Sequence, residues 1–125
     1  MIKKSNELRI KDEPNLKGGK GTIKVINFFE EEESNGVGRL FGVSIIPVGC
    51  SIGYHKHIGD NEVYYFLKGT AKVCDNGKED ILVPGDCMVC FDGNSHSIEN
   101  IGECDLEYIA LILYSNQHVL ENNVL

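Results

Sequence analysis

Strand-type patterning begins near residue 21 and recurs as far as residue 114. Thr22 to Phe29 and Arg39 to Ile46 are both rich in β-branched and aromatic residues, and Pro47-Val48-Gly49 stops the second run. Glu62-Val63-Tyr64-Tyr65-Phe66-Leu67 is a third run, closed by Gly69. Its period-two spacing places Glu62, Tyr64 and Phe66 on one face. Thr70 to Cys74 and Asp80 to Val83 flank Asp75-Asn76-Gly77, and Asn-Gly tolerates the positive φ angles of a tight hairpin. Pro84-Gly85-Asp86 turns the chain into Cys87 to Phe91, and Leu106 to Tyr114 is the last long run. Many short strands parted by turn residues predict an all-β sandwich or barrel. Helix is expected only in the tail, from about Asn116 to Val124.

The chain has 125 residues, the size of one domain, and residues 1–125 are read as one unit. That length can bury a sufficient core without disulfide or metal staples. Its 14 glycines fit a turn-rich fold. The formal net charge of −7 comes without a basic stripe, which argues against nucleic acid and against an anionic membrane surface as partners. The N-terminus lacks the apolar core of a signal peptide, and Tyr108 to Tyr114 is too short to span a bilayer, so a cytoplasmic location is expected. In such a compartment the five cysteines should be free thiols. Glu30 to Glu33 is read as a solvated loop. A calcium loop would need spaced Asp or Asn oxygens and a closing Glu.

Three of the four histidines and one carboxylate carry the chemistry. His55 and His57 are two apart, so on a strand both imidazoles face the same way. Glu62 follows across Ile58-Gly59-Asp60-Asn61, a turn that can bring it back beside them. His96, after Asp92-Gly93-Asn94-Ser95, is the candidate for a third nitrogen from another strand. A lone histidine here would be read as a hydrogen-bonded surface residue. Four metal-type donors in this spacing point to an ion.

These residues carry a family resemblance. Gly49, His55, His57, Glu62 and Gly69 match the first cupin motif, G-x5-H-x-H-x4-E-x6-G, with every spacing kept. Gly85, Gly93, His96 and Asn100 match the second, G-x5-P-x-G-x2-H-x3-N, except that Phe91 replaces the proline. The chain therefore resembles a compact microbial cupin with its motif core at 49–100. The resemblance implies a jelly-roll barrel of two packed antiparallel sheets, with His55, His57, Glu62 and His96 as metal ligands in its mouth. The Phe91 departure removes a rigid φ angle but no ligand. Three imidazoles and a carboxylate suit one divalent manganese, iron, cobalt, nickel or zinc ion. An octahedral ion would keep two positions open, whereas zinc could sit closed.

Other residues are read more plainly. Tyr64 either packs in the core or makes a hydrogen bond behind the ligands. Arg39 is a rim charge beside the acidic loop or, alternatively, a guanidinium for a substrate carboxylate. Cys87 and Cys90 lie three apart on a strand, so they should face opposite ways and not form a redox pair. His118 is a tail residue. The expected ligand is a small carboxylate or other oxygen-rich molecule, in a cavity lined by Tyr64, Phe66 and apolar residues with few charges besides the ligands. No catalytic residue is assigned. The resemblance admits decarboxylases, dioxygenases, isomerases and lyases, as well as a binding or sensing protein without turnover; a storage barrel would need no such ligands. A homodimer is expected, because N-terminal strand material at Glu7 to Ile10 and Gly21 to Phe29 adds edges that a two-fold partner would cover.

Overall fold

The computed structural model describes residues 1–115, and in them ten strands form two antiparallel sheets. The strands are β1 (Arg9–Pro14), β2 (Thr22–Asn27), β3 (Gly38–Ile46), β4 (Ser51–Lys56), β5 (Asp60–Lys68), β6 (Ala71–Asp75), β7 (Lys78–Leu82), β8 (Cys87–Cys90), β9 (Ser95–Asn100) and β10 (Leu106–Tyr114). The larger sheet has the order β1-β2-β3-β10-β5-β8, and the smaller has β4-β9-β6-β7. The expected helix from Asn116 to Val124, and His118 with it, lie outside the described residues.

Alternation decides which face of each strand is buried. Tyr64 and Phe66 of β5 and Leu106, Tyr108 and Ala110 of β10 point inward and meet Ile52, Ala71, Val73 and Ile98 of the smaller sheet. β6 and β7 form the expected hairpin around Asn76 and Gly77, both at positive φ, with Asp75 opposite Lys78. Asn100 closes the barrel floor: its side-chain amide donates to the carbonyls of Ile46 and Cys104, each at 2.8 Å.

The N-terminal segment departs from the expected boundaries. Ser5–Glu7 is a 3-10 turn, and the first strand runs on to Pro14, paired with β2 along its whole length. Charged side chains and a proline along this outer strand discourage further pairing. The loop after β1 crosses to the smaller sheet. Ser51 N donates to the Lys20 carbonyl at 2.9 Å, and Lys20 N donates to Ser51 Oγ at 3.0 Å. The approach is so close that a Cβ on Gly53 would stand 2.0 Å from the Lys17 carbonyl oxygen. The N-terminal hairpin thus covers the β4 edge within one chain, and this edge needs no partner.

The acidic run forms a 3-10 turn at Glu31–Ser34 with a reciprocal capping box between Glu30 and Glu33. Its carboxylates pair with Lys3, Arg9 and the Tyr114 hydroxyl, as a surface loop would.

Cys87 is exposed and Cys90 buried, on opposite faces of β8 as expected. The Cys90 thiol lies 3.6 Å from the Asn94 carbonyl, and burial pushes its pKa up to about 11. At pH 8 iodoacetamide should therefore label exposed Cys87 and Cys104 well before Cys90. Peptide mass spectrometry over a time course checks this; equal rates at all three sites would contradict it.

Candidate metal centre

His55 sits near the end of β4, directly opposite His96 of β9. His57 lies one residue beyond β4. It is nevertheless held in register, because its backbone N–H donates to Asn94 O at 2.9 Å and its carbonyl accepts from Gly93 N at 2.7 Å. Glu62 comes from β5 in the other sheet and points inward with Tyr64. The structure brings together all four residues singled out in the sequence, with one donor atom from each within 4.8 Å of all the others.

Two of the three ring orientations are set from behind by hydrogen bonds, while the buried His96 Nδ1 has no hydrogen-bond partner among the described residues. His55 Nδ1 donates to the Gly53 carbonyl at 2.7 Å, and His57 Nδ1 is 2.5 Å from Asp60 Oδ1. A nitrogen that donates outward leaves the Nε2 lone pair facing inward. His96 Nε2 lies 3.1 Å from the Nε2 atoms of both His55 and His57, and Glu62 Oε1 is 3.1 Å from His96 Nε2 and 3.2 Å from His57 Nε2. Lone pairs aimed at one another at such distances repel unless a proton or a cation lies among them. The donor set fits a divalent ion: borderline nitrogens, one hard carboxylate and no thiolate.

The electrostatics agree. Burial works against ionisation of Glu62, but hydrogen bonds with His57 and His96 outweigh it and hold its pKa at about 2. The Glu62 hydrogen bond chiefly raises the pKa of His57, and burial chiefly lowers that of His55. Tyr64 stacks on the His96 ring, with centroids 5.3 Å apart and planes at 22°, so it packs the wall behind the site. Burial, with the Glu62 charge second, keeps its phenol protonated far above the usual range.

Asp60 was missed by the sequence reading, which placed it in a turn. It is the first residue of β5 and is 5% exposed. One carboxylate oxygen faces His57 Nδ1, while the other accepts from Arg39 Nε at 2.8 Å. Its position three residues after a motif histidine was the available signal. Arg39 is thus tied to a buried carboxylate, not to the acidic loop. Replacing Asp60 with alanine is expected to weaken metal affinity about 10–100-fold, because His57 loses the group that orients it. Competition titration with a chromophoric chelator would measure this, and an unchanged affinity would contradict it.

The centre opens into a cavity of about 430 Å³. Tyr64 and Tyr108 line it with Ile23 and Ile52, but Phe66 does not; it sits behind the two tyrosines. The expectation of few charges is also corrected. Five cations (Arg9, Lys11, Lys17, Arg39 and Lys56) line it against three carboxylates (Glu13, Asp60 and Glu62). Four of those five come from β1, the loop after it and β3, segments that alternation alone could not aim at the site.

Comparison with known proteins gives consistent matches. The family model described as the cupin domain matches residues 42–112. An oxalate-binding protein of Thermotoga maritima is 41% identical over 113 residues, covering 90% of this chain and 93% of that protein. A crystal structure of a predicted oxalate decarboxylase from Thermotoga maritima superposes with a TM-score of 0.87 at 38% identity, covering 92% of this chain and 100% of that one. A Schizosaccharomyces pombe cupin domain superposes with a TM-score of 0.70 at 17% identity, covering 91% of this chain and 75% of that one, a likeness of fold.

Proposed function

The chain belongs to the cupin family, and from this we propose that it holds one divalent transition-metal ion and binds a small carboxylate such as oxalate there. His55, His57, Glu62 and His96 would hold the ion. When bound, the ion supplies a Lewis-acidic centre for carboxylate oxygens. The observation that carries this reading is the convergence of three imidazoles and Glu62 beneath a mouth richer in cations than carboxylates, in a chain whose net charge is −7. Arg9, Lys11 and Arg39 are paired with carboxylates, but Lys17 and Lys56 have no ion pair among the described residues and draw anions toward the mouth, where apolar walls strengthen the attraction. The likeness to an oxalate-binding protein supports a carboxylate as ligand.

We assign binding of the carboxylate as the function of this centre. Among the described residues lining the cavity, the carboxylates Asp60 and Glu13 are paired with Arg39 and Lys11, and Glu62 belongs to the centre. This leaves no free carboxylate or imidazole as a general acid or base. Calorimetry with oxalate, a 2-oxo acid and a neutral sugar, on metal-loaded and metal-stripped protein, tests the reading. Metal-dependent binding of the acids alone is expected. Equal binding after stripping would refute it, and product formation over hours would replace binding with catalysis.

The homodimer is proposed across the outer face of the larger sheet. Phe41, Tyr65 and Leu113 point outward there and are each 38% exposed or more, with Leu111 opposite Phe41 and Ile109 opposite Tyr65. A continuous apolar sheet face of this kind is suited to a two-fold copy of itself. Light scattering at micromolar concentration should report a dimer, and Tyr65→Glu should shift it toward monomer. A monomeric unsubstituted protein would contradict the proposal.

A further inference from the structure

The guanidinium of Arg39 is held at the cavity in an unusual way. Its Nε donates to Asp60 Oδ2 at 2.8 Å, and Asp60 is itself buried and fixed by His57. Among the described residues neither Nη atom has a hydrogen-bond partner, although the side chain lines the cavity and is 45% exposed. The arginine is thus oriented from one side while its planar fork keeps donors free, and a carboxylate is the group such a fork matches best. Its separation from the centre also matters. The path from the inward-facing His57 Nε2 to Arg39 crosses the imidazole ring and the Asp60 carboxylate.

Cavity size adds a second constraint. The cavity of about 430 Å³ is large enough that a two-carbon diacid fills only a minor part of it. We propose that Arg39 is a specificity-determining residue that takes the second anionic group of an elongated ligand, such as a diacid longer than oxalate, whose first carboxylate lies at the four-residue centre. This rests on the carboxylate-binding reading above and extends it from one anchoring point to two. The lysines at the rim add general attraction for anions. Arg39 differs from them in being oriented by a buried partner, so it can read the position of the second group.

The test compares oxalate, succinate, glutarate and the monoamide of glutarate by calorimetry on metal-loaded protein. Glutarate is expected to bind on the order of tenfold tighter than its monoamide. In Arg39→Gln that preference should vanish, while oxalate and the monoamide weaken alike through the loss of one cation at the mouth. Arg39→Lys keeps a cation beside Asp60 but removes the planar fork. It should retain the metal and lose most of the preference, so it decides the matter if the glutamine variant loses metal. Equal binding of glutarate and its monoamide to the unsubstituted protein would overturn the assignment and leave the single-carboxylate reading standing. Failure of every acid to bind would overturn both.

Discussion

Replacing His57 with alanine is expected to take the metal content from about one ion per chain to nearly none. His57 is 4% exposed, with Nε2 within 3.2 Å of Glu62 and His96. Its loss removes a donor and also isolates Asp60 from the centre. Elemental analysis of protein purified without chelator checks this; a variant that still holds about one ion would contradict it. The unsubstituted protein should show a matching pH dependence. Metal displaces the proton from His57, whose pKa in the metal-free protein is raised, chiefly by its hydrogen bond with Glu62. Affinity should be fully present above that raised pKa and fall as pH drops through it, so loss begins above the free imidazole value of ~6.5.

The second large effect is on stability. Phe66 is 1% exposed and packs behind the site, its ring centroid 6.2 Å from that of Tyr64 and 5.5 Å from that of Tyr108. Phe66→Ala should cost about 3–5 kcal/mol, because rigid aromatic neighbours on two adjacent strands, β5 and β10, cannot collapse into the space. Thermal unfolding of the metal-free variant should show a midpoint lowered by on the order of 10 °C or more. A cost below about 1 kcal/mol would mean that the two tyrosines are less tightly held than they stand here. Tyr64 stacks on His96, so this core residue also steadies one wall of the centre.

Features fixed by local spacing were legible in the chain. The Asn76-Gly77 hairpin, the inward row Glu62-Tyr64-Phe66 and the opposite faces of Cys87 and Cys90 each follow from two-residue alternation or turn chemistry. The four donors were found by spacing within two motifs. What was missed depends on approach between distant segments. Asp60 looks like a turn residue until Arg39, twenty-one positions away, is seen to pair with it. The cationic rim is assembled from β1, the loop after it, β3 and the end of β4, and no window of sequence contains it. The N-terminal strands were recognised as strand material, but not that their loop would reach β4 and cover its edge.

The proposed function requires direct contact between a carboxylate and an ion held by His55, His57, Glu62 and His96. Electron paramagnetic resonance of manganese-loaded protein, with oxalate carrying oxygen-17, tests that contact. Broadening of the manganese lines by labelled oxalate, absent with unlabelled oxalate, is the expected result. Identical lines with both, under conditions where calorimetry shows the oxalate bound, would contradict it.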